Sequence, residues 1–199
     1  MIRSSAAAPG TPVTAILGAD ALAAFVVVVN PEKDWIAFGL PGHIAVHGSS
    51  RTSIPKGAKV PPQLPITVAF APGFRVHAAI NGQPVTLLLD YGSTLYVSLA
   101  ADPWNRIIPE ADRKGTTLTS TTADELHTKE AIGVAELDLG GLFAKQVQVS
   151  SESTPHNNYD GRLGLGILAA TSTVLDMPKR TLVIFPQGQD ITAQIENPS

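Results

Sequence analysis

The chain has no cysteine among its 199 residues, which excludes disulfides, thiolate metal ligands and thiol nucleophiles together. Charge is also sparse. Fourteen basic against seventeen acidic side chains, a net charge of −3, provide no basic face for nucleic acid and no polybasic patch for a membrane. Neither partner is expected. Histidines occur singly, at His43, His47, His77, His127 and His156. The first two are four apart, but in a Gly/Pro/Ser-rich stretch unsuited to a helix. No H-E-x-x-H pattern or carboxylate cluster accompanies any of them, so they read as solvated loop residues. No metal and no cofactor is expected. Long apolar runs are lacking as well: residues 13–29 come nearest, yet the run is short for a membrane span and carries Asp20 in its middle. With only Arg3 ahead of it, it makes a weak signal sequence.

What the chain does contain is short apolar segments divided by glycine and proline. Long helical periodicity is scarce, so the fold class expected is all-β, an antiparallel sandwich or small closed barrel. Strands are expected at Ile66–Phe70, Phe74–Ile80 and Val85–Leu89, with Pro72-Gly73 and then Asn81-Gly82 as the turns between them; Asn-Gly is a strong hairpin signal. Leu95–Leu99 is another apolar stretch, and Ala101–Arg113 suggests a helical turn around Pro103 and Trp104. Residues 127–139 alternate, with Ala131, Gly133, Ala135, Leu137 and Leu139 on one side, and Gly140-Gly141 turns the chain into Phe143–Val149.

The chain also echoes itself. Gly18-Ala-Asp-Ala-Leu22-Ala-Ala24 falls on Gly164-Leu-Gly-Ile-Leu168-Ala-Ala170, an offset of 146 (164 less 18). At that offset Asn30 meets Asp176, Lys33 meets Lys179 and Ile36 meets Leu182. Each copy reads as a glycine, a short helix, a β-branched strand, a polar turn and a second strand, which marks two copies of one structural unit. Four regions are therefore expected: 1–38, the closing segment of a preceding, incomplete repeat; 39–64, a linker of extended, polyproline-like character; 65–187, a complete lobe; and 188–199, a tail.

Within the complete copy, Pro84-Val-Thr-Leu-Leu-Leu-Asp-Tyr-Gly-Ser93 delivers one acid, Asp90, at the end of an apolar strand and ahead of a glycine turn. Burying an ionised carboxylate is costly, so a chain that does so usually has a use for it. The plainer account is an Asp opening a surface turn, since Asp, Gly and Ser are ordinary turn residues. Among the other acids, Asp160 reads as a turn residue, Asp176 as a strand-ending turn and Asp20 as a residue near a helix start, where the dipole favours it.

The Asn-Gly hairpin, Leu-Leu-Leu-Asp90-x-Gly92-Ser93 and Asp160-Gly-Arg-Leu163-Gly164 leading into a helix resemble, in that order, the retropepsin-like aspartic peptidases of bacterial type. The resemblance covers roughly residues 65–187, with residues 14–38 similar to the closing part of a preceding lobe. It implies a small closed β-barrel with one short helix near the C-terminal end, in which Leu163-Gly164 threads the loop carrying the acid. It further implies Asp90 as the catalytic carboxylate, with Gly92 letting the backbone approach it and Ser93 hydrogen-bonding its outer oxygen. Two such acids, one per lobe, share a proton; one acts as base on a water while the other polarises the scissile carbonyl.

The chain departs from that pattern in three ways. It has one such motif, so a dyad needs a second Asp from another chain or lobe. Tyr91 stands where the family has a threonine that reaches across to the opposite lobe, and filling space is its plainer role. Residues 117–128, where the family's covering flap falls, lack the aromatic and glycine residues of such a tip. Two functions follow: an aspartic-peptidase-type hydrolase acting on a peptide or protein as a homodimer or with a second lobe, or an inactive pseudo-peptidase that binds peptides or assembles with them. A third use, Asp90 acting alone in acid-base chemistry, names no substrate. The expected compartment is periplasmic or secreted if the N-terminus is truncated, and cytoplasmic otherwise.

Overall fold

The computed structural model describes residues 19–50, 65–121, 127–152, 158–185 and 189–195. In chain order the elements are α1 (Ala19–Leu22), β1 (Val26–Asn30), β2 (Trp35–Gly39), β3 (Ile44–Ser50), β4 (Ile66–Ala71), β5 (Arg75–Ile80), β6 (Gln83–Asp90) and β7 (Val97–Ala100). Then come α2 (Ala101–Ile107), β8 (Arg113–Thr121), β9 (His127–Leu139), β10 (Leu142–Glu152), β11 (Gly161–Gly164), α3 (Leu165–Leu168), β12 (Ser172–Asp176), β13 (Thr181–Phe185) and β14 (Gln189–Ile195). The class is all-β, as the residue pattern predicts. The chain divides into two compact units, residues 71–167 and residues 15–70 with 168–199.

The first unit is a closed six-stranded barrel in the order β5-β6-β11-β7-β10-β9, sealed where Ala79 and Ile80 of β5 pair with Asp138 and Leu137 of β9. Alternation makes the barrel. Val85, Leu87 and Leu89 point inward from β6, as do Ala135, Leu137 and Leu139 from β9. Leu87, Leu99, Leu139 and Leu163 have no exposed surface, and truncating any of them costs about 2–5 kcal/mol.

Its hairpins follow turn chemistry. Asn81 and Gly82 both have positive φ, 49° and 74°, as a two-residue type I′ turn requires. Asn81 also uses its side chain, accepting the Glu136 N–H at 2.9 Å and donating to Ile107 O at 3.3 Å. Pro103 lies in the first turn of α2, where a missing N–H is harmless, and buries itself with Trp104 and Ile107. Arg113 lies over the Trp104 ring at 5.7 Å. β8 and β9 form an antiparallel hairpin as far as Thr121 opposite His127. The tip of the expected flap, 122–126, lies outside the described residues.

The second unit is a sheet in the order β2-β1-β12-β13-β4. The two sequence copies meet in it. β1 pairs antiparallel with β12, Val28 opposite Val174, and β13 continues the sheet to β4. Val26, Val28, Val174, Phe185 and Ile191 form its core, with Trp35, Ala37, Ile44, Val46, Val183 and Ala193 packed against it.

Part of this differs from the sequence reading. Residues 44–50, expected to be linker, form β3, and residues 189–195, expected to be tail, form β14; the two pair antiparallel with Ile44 opposite Ile195. Ile191, Ala193 and Ile195 do alternate with polar residues, but β3 ends in Gly48-Ser49-Ser50, which carries no apolar pattern to mark it as a strand. The described part of the apolar run, residues 19–29, is a one-turn helix followed by a strand, as the repeat predicts. Among the described residues no helix is long and apolar enough to cross a membrane.

Candidate active site

Asp90 is the last residue of β6, on the face alternate to the barrel core, and its side chain is 24% exposed. The apolar strand ahead of it is therefore buried on one face only: Thr86, Leu88 and Asp90 share the other. After Asp90 the chain turns at once. Ser93 N–H donates to Asp90 O at 3.3 Å, and Gly92 N–H donates to Asp90 Oδ1 at 2.9 Å. A Cβ on Gly92 would lie 3.2 Å from that oxygen, so glycine is what lets the backbone approach the carboxylate.

β11 lies between β6, to which it is parallel, and β7, to which it is antiparallel. The register puts Leu163 opposite Leu89 and Gly164 opposite Asp90. Three backbone bonds then fix the loop after Asp90 to the end of β11 and the start of α3. Gly164 N–H donates to Tyr96 O at 3.0 Å, Leu165 N–H to Ser93 O at 2.7 Å and Gly166 N–H to Leu95 O at 2.9 Å. Side chains on Gly161 or Gly164 would collide with the carbonyls of Ser98 and Leu95 respectively. The threading of the loop by Leu163-Gly164 thus rests on bare backbone passing between two strands.

Asp160 has a structural task. Its Oδ2 accepts the Thr86 N–H at 2.7 Å, and its backbone exchanges bonds with Thr86 and Ala100, which seats β11 between β6 and β7. Asp176 accepts the Lys179 N–H at 3.0 Å, the strand-ending turn expected of it. Asp20 is exposed in the first turn of α1. Among the described residues no group of three His, Asp or Glu is placed to hold a metal ion.

The remaining partners of Asp90 differ from expectation. The Ser93 hydroxyl accepts the Leu95 N–H at 3.3 Å, and it is Arg162 that reaches the other carboxylate oxygen, Nη1 to Asp90 Oδ2 at 3.4 Å. Arg162 Nε lies 3.5 Å from Glu152 Oε1, which also accepts from the Ser98 hydroxyl. Burial works against the charge of Arg162, but the carboxylates of Glu152 and Asp90, and then Tyr159, outweigh it and hold the guanidinium above its ordinary value. Arg162 escaped the sequence reading because its signal is a register: it sits beside Asp90 only because β11 runs parallel to β6. Tyr91 is half-buried beside Asp90 and makes a contact of its own; it is not one of the core residues.

A closed barrel, an acid on the end of β6 and a glycine-ended strand threaded beside it are the architecture of a retropepsin-like lobe, and the chain resembles that class. No protein-family model matches the chain, nor does any curated protein. Solved structures do. A retropepsin-like aspartic protease from Rickettsia conorii is similar at 15% identity and a TM-score of 0.46, over 76% of this chain and 98% of that one. The EIAV protease in complex with the inhibitor HBY-793 is 21% identical over 47% of this chain and 83% of its own, TM-score 0.36. The retroviral protease-like domain of Ddi1 from Leishmania major is 12% identical over 59% and 97%, TM-score 0.31.

Proposed function

We propose that the chain is an aspartic-peptidase-type hydrolase in which Asp90 pairs with a second Asp from another chain or lobe and activates water for peptide-bond cleavage. The observation that carries the reading is the setting of Asp90: a carboxylate on a rigid strand end, one oxygen held by the Gly92 N–H, in a loop fixed by three backbone bonds to a threaded strand. A rigidly held acid of partial exposure is what positioned acid-base chemistry needs. In this reading Asp90 and its mate share one proton, and Tyr91, Gly92, Ser93, Leu163 and Gly164 shape the loop that carries it. Peptide cleavage followed against protein concentration tests the pairing. If the second acid comes from another copy, the rate climbs faster than in proportion to protein; strict proportionality together with a monomeric mass removes that pairing.

A second reading, an inactive peptide-binding or assembly module, draws on two other observations. Asp90 is already paired with Arg162. An oxygen facing a guanidinium is poorly placed to share a proton with another acid. Tyr91 adds bulk at the position beside the acid. Peptide binding without cleavage, by folded wild-type protein, would favour this reading over the first.

A further inference from the structure

The 146-residue echo is obeyed in three dimensions well beyond the matching letters. α1, β1 and β2 begin and end at positions that, moved by the offset, are the limits of α3, β12 and β13. The small bonds repeat too. Phe25 N–H donates to Leu22 O as Thr171 N–H does to Leu168 O, and Asp34 N–H donates to Pro31 O as Arg180 N–H does to Met177 O. Asn30 Oδ1 accepts the Lys33 N–H as Asp176 Oδ1 accepts that of Lys179. Asp34 and Arg180, both left-handed, have φ of 53° and 54°.

These copies meet with equivalent residues face to face. Val28 pairs with its own counterpart Val174, while Val27 pairs with Leu175 and Val29 with Thr173. Exchanging the copies maps this ladder onto itself, so a local two-fold axis passes through the Val28·Val174 pair. Under it β1 exchanges with β12, and β2 with β13.

The symmetry fails at the rim. The outer edge of β13 is taken by β4, Leu182 opposite Val68 and Ile184 opposite Ile66. Phe70 N–H donates to Arg180 O at 2.9 Å, so, by antiparallel alternation, Leu182 and Ile184 turn their backbone groups toward β4. Their counterparts on β2 are Ile36 and Phe38. Among the described residues no strand lies on that side of β2. The difference shows in burial: Leu182 is 0% exposed and Ile36 is 42% exposed.

We propose that the outer edge of β2 is an interaction surface that accepts one antiparallel strand from a separate polypeptide built like β4, about five residues long and apolar at alternate positions. β4 itself supplies the chemistry, Ile66-Thr-Val-Ala-Phe70. Backbone bonds to Ile36 and Phe38 supply the affinity, and an apolar side chain opposite Ile36 covers it as Val68 is paired across from Leu182. The inference rests on the repeat alone, so it stands or falls independently of any chemistry at Asp90.

The probe is a synthetic peptide of residues 65–71 carrying terminal lysines for solubility, added to the full chain. Amide hydrogen exchange should slow at Ile36 and Phe38, whereas Trp35 and Ala37, whose backbone groups face β1, change little. Ile36→Pro removes one outward donor without touching the ladder to β1, and should weaken binding about tenfold or more. Should that variant fold poorly, a peptide N-methylated on its ladder-facing amides replaces it and should not bind. Absence of binding, binding undiminished by Ile36→Pro or by N-methylation, or exchange slowed elsewhere than β2 would overturn the proposal. So would self-association of the chain through β2, which would make the occupant a second copy.

Discussion

At the scale of single residues, Arg162 decides more than its neighbours. It joins Asp90 to Glu152 from the middle of a four-residue strand and is itself 37% exposed. Arg162→Leu leaves both carboxylates without that partner. Solvent screening limits the loss to about 1 kcal/mol, read as a lower urea midpoint at low salt and a smaller difference at high salt. The same variant frees the outer oxygen of Asp90, so under the hydrolase reading its cleavage rate rises above that of the wild type. The sign of the pH effect follows from the raised value of Arg162. A group raised on folding contributes fully below its unfolded value and loses that contribution only as pH climbs through the folded one. For a guanidinium that window lies far into alkali, so Arg162 itself adds no pH dependence to stability between mildly acidic and neutral conditions. Stability profiles of wild type and Arg162→Leu through the alkaline range should stay parallel until the guanidinium titrates.

Elements differ in how far their sequence announces them. Asn81-Gly82 and Gly140-Gly141 state their hairpins outright, because both residues of each turn adopt positive φ. Leu-Leu-Leu-Asp90 announces a strand end, and the 146-residue echo announces α1-β1-β2 and α3-β12-β13. β3 and β14 could not be read this way. Their pairing joins residues 44–50 to 189–195, and Gly48, Ser49 and Ser50 opposite Ile191, Asp190 and Gln189 carry no local signal of a partner. The Arg162–Asp90 pair was hidden for a related reason, since 72 residues separate its members and only the parallel register of β11 with β6 brings them together.

The threading strand is the element on which substitution should tell most. Gly164→Ala would force a methyl against the carbonyl of Leu95, and a loss of about 3 kcal/mol or more is expected in denaturant melts. Gly115→Ala, at the irregularity in β8 where nothing lies within 4 Å, should stay within about 0.5 kcal/mol. Unequal burial of the two copies predicts a second contrast. Leu182→Ala should cost about 2–5 kcal/mol, and Ile36→Ala less than about 1 kcal/mol. Addition of the β4-type peptide should widen the cost of Ile36→Ala toward that of its counterpart.

For the molecule as a whole, the proposed hydrolase reading must reconcile one acid-bearing loop with chemistry that uses two acids. The barrel presents Asp90 once, and the repeat around Val28·Val174 contains the closing module twice but the Leu-Leu-Leu-Asp-x-Gly-Ser motif only once. Under the proposed hydrolase reading, the second acid comes from another chain or lobe. The most direct measurement is cleavage of an unbiased peptide library, from mildly acidic to neutral pH, by wild type and Asp90→Asn side by side, with circular dichroism confirming that both are folded. Cleavage by the wild type and none by Asp90→Asn is the predicted result. Cleavage by both, or by neither, would contradict the assignment of Asp90 as a catalytic carboxylate, and the second outcome would leave the chain a binding module on a peptidase fold.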